Sequence, residues 1–224
     1  MEQIGEAEFH SFFAGSKPER QRNKKGFLEF LPFFKDCRSI ADLGCGEGIF
    51  LELLLEVYPQ KKTVGVELNE ELIQIAKNFL PLAKIYKEDV LSFVLREHQN
   101  FEGFIMSDLI EHLEFGTNLA IMNALPEGAI LFIKTPNINS LLGQQYYLQT
   151  PGHKNAYSPF VLKKMLERTG FLVLKEGEHS GILVPRTLLG KIRRKILRLL
   201  FIDEFSRFFG AGNYFVVAKK RKSV

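Results

Sequence analysis

The eight residues at positions 41–48 constrain the fold of this chain more than any other part of its sequence. They read Ala-Asp-Leu-Gly-Cys-Gly-Glu-Gly and lie between an apolar run at 39–43 and a segment at 49–58 with apolar residues at helical spacing. A glycine-rich turn from a strand into a helix commonly binds a ligand in α/β folds. The alternating glycines do not match the Gly-x-Gly-x-x-Gly pattern of dinucleotide-binding folds, and no Gly-Lys-Ser/Thr of a P-loop follows. The turn therefore predicts a ligand site of another class.

Strand-like and helix-like segments alternate along the rest of the chain. With the run at 39–43, seven strands are predicted, the others being residues 63–67, 83–86, 104–107, 129–133, 171–175 and 214–219. Helices are predicted at 49–58, 70–80, 90–97, 118–125 and 159–168, with Asn69 and Ser158 as N-caps. This alternation predicts an α/β fold with a Rossmann-like, mostly parallel seven-stranded sheet and helices on both faces. Ligands of such sheets bind beyond the carboxyl ends of the strands.

Three segments do not follow the alternation. Residues 8–34 mix phenylalanines with basic residues, so we expect residues 1–37 to form an N-terminal helical cap and residues 38–224 to form the main domain. Residues 135–157 contain several prolines and glycines and predict a long loop, with a short helix around 141–148. Residues 177–212 separate the last two strands and predict a basic helical insertion.

The composition limits the classes of protein that the chain can belong to. Its 46% hydrophobic and 25% charged residues are ordinary for a globular protein. No apolar run is long enough to span a membrane as a helix, and the first residues carry acids where a signal peptide would carry bases. Two cysteines cannot form a disulfide framework. We therefore expect a cytoplasmic protein, with peripheral association at the inner membrane face as the alternative.

The net charge of +4 is distributed unevenly. Residues 186–224 carry +9 and residues 1–185 carry −5. Within the basic part, residues 186–202 predict an amphipathic helix with Leu and Ile on one face and Lys and Arg on another. Such a helix lies in a membrane interface, packs over the sheet or forms a dimer contact. Nucleic acid is not an expected partner, because the stretch offers a charge stripe without a set of aromatic stacking platforms.

The glycine turn resembles the first motif of the class I S-adenosylmethionine-dependent methyltransferases, an acid followed by Leu-Gly-x-Gly-x-Gly. The resemblance extends over about residues 38–175, with acids after three further strands. It implies a site for S-adenosylmethionine in which Glu67 binds the ribose hydroxyls and Asp89 binds the adenine amino group. Leu68 and Val90 would flank the adenine. The residues expected at the methionine part and at the fourth strand end are Asp42, Gly44, Cys45, Gly46, Gly48, Ser107 and Asp108.

Two histidines are candidate catalytic residues. Glu111-His112-Leu113 resembles the Glu-His-Leu that follows the fourth strand in many O-methyltransferases of this superfamily, which makes His112 a candidate general base. His153 follows a Thr-Pro-Asn strand end that is similar to a subgroup acting on polysaccharide ends, lipid-linked intermediates and quinone precursors. It is the alternative base or an acceptor contact. Both histidines also have structural interpretations, His112 as a packing residue and His153 as a solvated loop residue.

The sequence assigns no metal site. His112, Glu111, Glu114 and Asp108 offer ligand atoms, but their spacing is not diagnostic of any ion. The predicted function is S-adenosylmethionine-dependent methylation, at oxygen, of a small-molecule, glycan or lipid-linked acceptor. Methyltransferases of this superfamily that act on amino nitrogens of nucleobases or glutamine often have Asn-Pro-Pro-Tyr or Asp-Pro-Pro-Tyr after the fourth strand. Neither sequence is present here, which favours an oxygen acceptor. The alternatives are an RNA or protein methyltransferase and a scaffold that binds S-adenosylmethionine without catalysis.

Overall fold

The computed structural model describes residues 17–179, Ile192 and residues 210–222. The strands are β1 (Ser39–Leu43), β2 (Lys62–Glu67), β3 (Lys84–Lys87), β4 (Gly103–Ser107), β5 (Ile130–Pro136), β6 (Phe171–His179) and β7 (Asn213–Lys220). The α-helices are α1 (Lys17–Phe27), α2 (Ile49–Val57), α3 (Glu70–Phe79), α4 (Val90–Glu97), α5 (Phe115–Ala124), α6 (Leu141–Gln149) and α7 (Pro159–Arg168). Two 3-10 helices, Leu28–Phe34 and His98–Asn100, precede β1 and β4.

All seven strands belong to one sheet in the order β3-β2-β1-β4-β5-β7-β6. The first five are parallel to their neighbours, whereas β7 runs antiparallel to both β5 and β6. The predicted mostly parallel α/β fold is confirmed. Because β1 to β5 are parallel, their carboxyl ends meet at one edge of the sheet, and β7 begins at that same edge opposite Pro136.

Local sequence signals explain where several helices begin and end. The Asn69 side chain accepts hydrogen bonds from the backbone N–H groups of Glu71 and Leu72, which caps α3. Ser158 caps α7 in the same way, with a proline at the first helical position. Gly170 follows α7 with φ +81°, the left-handed conformation in which helices commonly end at glycine. The predicted caps are therefore the observed ones.

Two hydrophobic clusters fill the interior. The larger one contains Phe93, Phe104 and Met106, and the second contains Phe30, Phe34, Phe50 and Phe132. The second cluster also includes Ile40 of β1, so the 3-10 helix Leu28–Phe34 packs on the sheet as part of a shared core. Burial of several large aromatic side chains contributes strongly to such a core, which accounts for one use of the many phenylalanines.

Two strands of the sheet are longer than the sequence predicts. Strand β5 continues to Pro136 and β6 continues to His179, beyond the predicted strand ends at 133 and 175. The short helix predicted around 141–148 is α6, and it is held by Ser140, whose hydroxyl accepts from the Gly143 N–H. The basic helix predicted at 186–202 lies outside the described residues apart from Ile192, as does most of the predicted insertion. Within the described part of the chain, no helix is long and apolar enough to cross a membrane.

Candidate functional site

A cavity of about 640 Å³ lies at the edge of the sheet where the parallel strands end. Almost every residue that the sequence analysis assigned to the cofactor lines this cavity. These residues are Asp42, Gly44, Cys45, Gly46, Glu67, Leu68, Asp89, Val90, Ser107 and Asp108. The exception is Gly48, which is not a lining residue and instead occupies the N-cap position of α2. The structure thus brings together residues from four segments of the chain, those at the ends of β1, β2, β3 and β4.

The three glycines of the turn adopt backbone conformations that other residues rarely adopt. Gly44, Gly46 and Gly48 all have positive φ angles, between 51° and 72°. A Cβ on Gly44 would also come within 2.7 Å of the Leu109 side chain. Other residues are strained in this region, so glycine lets the turn bring its backbone to the cavity before α2 begins. The spacing of glycines in the sequence follows from this geometry.

Asp42 is a buried carboxyl group at the end of β1. Its side chain is only 2% exposed, and its Oδ2 atom has no hydrogen-bond partner among the described residues. Burial, and then the charge of Glu67, raises the pKa of Asp42 to about 8. A cationic group in the cavity would compensate this carboxylate. Asp42 therefore fits the ammonium group of S-adenosylmethionine, as the sequence resemblance implies.

Glu67 organises the backbone on the other side of the cavity. Its Oε2 accepts a hydrogen bond from the Gly46 N–H at 2.9 Å. Its Oε1 accepts from the N–H groups of Leu68 and Asn69 at 2.8 and 2.9 Å. A carboxylate offers about four acceptor positions, so three backbone donors leave room for about one more bond without a change of rotamer. Glu67 therefore joins the glycine turn to the start of α3, a role that the sequence did not reveal.

The residues predicted at the adenine all line the cavity and follow the neighbouring strands β2 and β3. Asp89 caps α4 through Oδ1, which accepts from the Ser92 N–H at 2.9 Å. Val90 is buried beside it, while Leu68 is 64% exposed. An exposed leucine at the rim and a buried valine behind it can contact the two faces of a flat ring. This arrangement fits a purine whose amino group reaches the Asp89 carboxylate.

Asp108 has an unusual backbone conformation. Its φ of +54° is the one positive value among the described non-glycine residues. Its N–H donates to the Lys134 carbonyl at 2.8 Å, and the Lys134 ammonium contacts its Oδ2. Strained residues of this kind cluster at functional sites. Sequence reasoning identified Asp108 but could not predict its conformation or its partner.

A second, smaller cavity of about 240 Å³ adjoins the first one. It lies where β4 and β5 end and β7 begins. All but one of its lining residues carry a polar side-chain group, and they are Asp108, Glu111, His112, Lys134, Pro136, Tyr146, Thr150, His153 and Asn213. Asp108 and His112 border both cavities. Molecules in the two cavities would therefore share these two residues as neighbours.

The two predicted catalytic histidines meet in this second cavity. The rings of His112 and His153 lie 4.6 Å apart, centroid to centroid. The loop that carries His153 is held to the loop that carries His112, because the N–H groups of Lys154 and Asn155 donate to the Glu111 carbonyl. His153 Nδ1 is 2.8 Å from the Tyr147 carbonyl and must donate to it, since a carbonyl only accepts. In the neutral ring this leaves Nε2 as the basic nitrogen.

Glu111 is the buried acid of the second cavity. It is 1% exposed, and the Thr135 hydroxyl donates to its Oε2 at 3.0 Å. Burial, and then the nearby charge of Asp108, raises the pKa of Glu111 to about 8. Its carboxylate oxygen and one nitrogen each of His112 and His153 lie within 4.8 Å of one another. Because His153 is about 40 residues away in the sequence, its approach to Glu111 could not be predicted from spacing.

The three tyrosines considered for an acceptor pocket have different positions. Tyr146 lines the second cavity. Tyr147 stacks on His153 with ring centroids 5.0 Å apart. Tyr157 is buried in the core and its hydroxyl accepts a hydrogen bond from the Asn118 side chain at 2.9 Å. Tyr146 therefore faces the cavity, Tyr147 supports a histidine and Tyr157 packs the loop.

Helix α1 supplies a cavity residue that sequence reasoning missed. Phe27, at the end of α1, lines the larger cavity and stacks on Phe50 at 4.6 Å between ring centroids. The helix is held in place by ion pairs from Arg20 and Lys24 to Glu52 of α2, at 2.5 and 2.9 Å. The basic and aromatic residues of this segment predicted a helical cap, but the residues that they contact could not be predicted from the sequence.

Comparisons of the sequence and of the structure with known proteins agree on one family. A family model described as "Methyltransferase domain" matches residues 17–176. The trans-aconitate 2-methyltransferase of Afipia carboxidovorans is 31% identical over 121 residues, which cover 53% of this chain and 46% of that protein. The homologous enzyme of Azoarcus sp. is 28% identical over 136 residues, covering 60% and 53%. The chain thus spans about half the length of these curated relatives.

Solved structures share the fold over nearly the whole chain. A SAM-dependent methyltransferase from Archaeoglobus fulgidus has a TM-score of 0.72 and 26% identity, covering 95% of this chain and 98% of that one. Human N-acetylserotonin methyltransferase in complex with SAM has a TM-score of 0.62 and 14% identity, covering 97% of this chain and 56% of the human one. The second similarity concerns the fold alone.

Proposed function

The chain belongs to the methyltransferase family, within the class I S-adenosylmethionine-dependent superfamily, and from this premise we propose that it methylates an oxygen atom of a small polar acceptor. The observation that carries the proposal is the junction of the two cavities. The larger cavity has the acids that suit S-adenosylmethionine, and the smaller one holds polar groups for an acceptor. His112 borders both, so a donor and an acceptor bound there would meet beside it.

The proposed roles follow from the positions of the side chains. Bound S-adenosylmethionine supplies an electrophilic methyl group on a sulfonium ion. Asp42 holds the cationic end of the ligand, while Glu67 and Asp89 orient its ribose and adenine. Since methyl transfer is an in-line displacement, alignment of the acceptor oxygen in the smaller cavity contributes much of the rate. The remaining task is to remove a proton from a hydroxyl acceptor, and we assign it to the pair His112 and His153.

The chemistry of the smaller cavity supports an oxygen-rich acceptor. Lys134, the Tyr146 hydroxyl and Asn213 offer hydrogen-bond donors to acceptor oxygens. The relatives from Afipia and Azoarcus are named for trans-aconitate, a small polycarboxylic acid. We therefore propose a small molecule as the acceptor. Glycans and lipid-linked molecules are the larger alternatives, because they also offer oxygen atoms for methylation.

The test is transfer of a labelled methyl group from S-adenosylmethionine into an extract, catalysed by the purified chain. The extract is then separated into small-molecule, glycan, lipid, RNA and protein fractions. We expect label in the small-molecule, glycan or lipid fraction, in a product whose labelled methyl group is bonded to an oxygen atom. Label confined to RNA or protein would contradict the acceptor class. Cofactor binding without label in any fraction would favour a scaffold that only binds S-adenosylmethionine.

A further inference from the structure

We propose that Glu111, His112 and His153 form a binding site for a divalent transition-metal ion in the smaller cavity. The three side chains each offer one ligand atom, and these atoms lie within 4.8 Å of one another. Ligands about 2.1 Å from a tetrahedral ion are ~3.4 Å apart, so the donor atoms must approach one another by at most about 1.4 Å. Changes in side-chain torsion angles produce movements of this size.

The contacts around these side chains are those that orient metal ligands. A ligating histidine usually donates its other ring N–H to a carbonyl or carboxylate, which fixes the ring. His153 does so through Nδ1 to the Tyr147 carbonyl at 2.8 Å, and Nε2 is then the ligand atom. The Glu111 carboxylate is held in turn by the Thr135 hydroxyl, which donates to Oε2. Two of the three ligands are therefore already oriented.

The charges of the cavity also favour a cation at this point. Glu111 is almost fully buried, and a buried carboxylate is stabilised by a positive partner. The nearest ammonium, that of Lys134, contacts the neighbouring Asp108. An ion between Glu111 and the two imidazoles would neutralise the remaining buried acid. Because two of the donors are nitrogen, the site suits Zn²⁺, Co²⁺ or Fe²⁺ better than Mg²⁺ or Ca²⁺, which prefer oxygen ligands alone.

The position of the site gives the ion a role, which rests on the proposed function. His112 borders both cavities, so an ion on it lies between the two. An acceptor oxygen on an open coordination position would be oriented toward the larger cavity, and the pKa of an acceptor hydroxyl would be lowered there. The same open position could also take a carboxylate oxygen of an acceptor. With the ion bound, the two histidines would act as ligands and the proton of a hydroxyl acceptor would leave to solvent, whereas the role as base assigned above applies to the chain without an ion.

Metal binding is tested on the full chain without reference to catalysis. The chain is stripped with a chelator and titrated with Co²⁺, followed by visible absorption, and the bound ion is then displaced with Zn²⁺ in a calorimeter. We expect one ion per chain, weakened more than about 100-fold in His153→Ala and in Glu111→Gln, and 10- to 100-fold in Thr135→Val, which removes only a supporting hydrogen bond. Circular dichroism verifies that each variant is folded.

His98→Ala is the matched control. His98 also contacts a backbone carbonyl through Nδ1, that of Val94 at 3.0 Å, but it precedes β4 at the opposite edge of the sheet. We expect this variant to bind Co²⁺ as the parent does. Absence of Co²⁺ and Zn²⁺ binding by the parent, or equal binding by His153→Ala, would overturn the site.

A second measurement separates the site from the proposed function. The stripped chain and the reloaded chain are compared for transfer of labelled methyl groups. Loss of transfer on stripping and recovery on reloading would support the role of the ion. Equal transfer by both forms would overturn that role while leaving the methyltransferase proposal intact. Metal binding without transfer to any acceptor would instead contradict the proposed function and leave the site standing.

Discussion

At the scale of single residues, the larger cavity is defined by acids whose surroundings differ. Asp42 is buried with an unpartnered oxygen, whereas Glu67 accepts three backbone hydrogen bonds and Asp89 caps a helix. The resemblance in sequence placed all three at one ligand. It could not distinguish a carboxylate that stabilises the protein from one that awaits a cation, because that difference depends on burial and on hydrogen bonds between distant segments.

Asp42→Asn is expected to stabilise the ligand-free protein at high pH. The folded-state pKa of Asp42 is raised to about 8 from an ordinary value of 3.8, so the folded state binds the proton more tightly than the unfolded state. The stability of the parent should therefore fall as pH rises from about 4 to 8, by up to about 1.4 kcal/mol per pH unit from this group. Urea unfolding of parent and variant at several pH values measures the difference. A pH-independent difference would contradict the burial argument.

Glu67→Ala is expected to weaken binding of S-adenosylmethionine at least ~10-fold, since hydrogen bonds to a charged group contribute about 1.5 to 3 kcal/mol. Part of the loss would come from the glycine turn, whose Gly46 N–H loses its acceptor. Isothermal titration calorimetry measures the affinity. Glu71→Ala, which removes an exposed acid from the first turn of α3, is the control and should bind as the parent does. Equal affinity in Glu67→Ala would remove the assignment of Glu67.

At the scale of elements, the positions of strands and helices were largely predictable, but their contacts were not. Strand β1 and helix α4 were predicted with the bounds that are observed, because their apolar periodicity and end signals are local. Strand β6 continues beyond its predicted end because pairing with β7 extends it through His179, a non-local effect. The approach of the loop at His153 to that at His112 depends on hydrogen bonds between loops. Elements could be predicted, and the second cavity could not.

The attachment of α1 to α2 gives a prediction at this scale. Glu52 accepts hydrogen bonds from Arg20 and Lys24, which are both buried. Glu52→Ala would leave these cations without their main acceptor and should lower the free energy of unfolding by roughly 3 kcal/mol. Chemical denaturation is the measurement. Glu56→Ala is the control, because Glu56 binds Lys24 at the surface with its side chain 52% exposed, and its loss should cost less than ~1 kcal/mol. Equal effects of the two changes would contradict the proposed attachment.

At the scale of the whole molecule, the sheet order places the ends of β1, β2, β3 and β4 around one large cavity and the β4-β5-β7 edge around a smaller one. The uneven charge of the chain is a separate feature, since residues 186–224 carry +9 and the rest −5. The fold accounts for the cavities through the parallel strands and the antiparallel β7. The basic segment lies mostly outside the described residues, and its membrane contact stays a prediction from sequence.

Co-sedimentation with anionic vesicles at low salt tests that prediction. Each Lys or Arg near an anionic surface contributes about 1 kcal/mol, so the parent should bind and should be released by salt. Replacement of Lys191, Arg194, Lys195 and Arg198 by Glu should abolish binding. Replacement of Lys163 and Lys164 on α7 by Glu, compared with replacement of Lys191 and Arg194 alone by Glu, is the control matched for net charge. A parent that stays in the supernatant at low salt would dismiss membrane contact.

The central claim is that the two cavities form one methyl-transfer site joined at His112. The most direct test compares the parent, His112→Ala and the control His98→Ala. The initial rate of labelled methyl transfer from S-adenosylmethionine is measured with the extract fraction that the parent labels. The affinity of each protein for S-adenosylmethionine is measured in parallel. The account predicts equal rates for parent and His98→Ala. It predicts a rate about 10² to 10⁴ times lower for His112→Ala, with little change in cofactor affinity. Equal rates in all three proteins would contradict it.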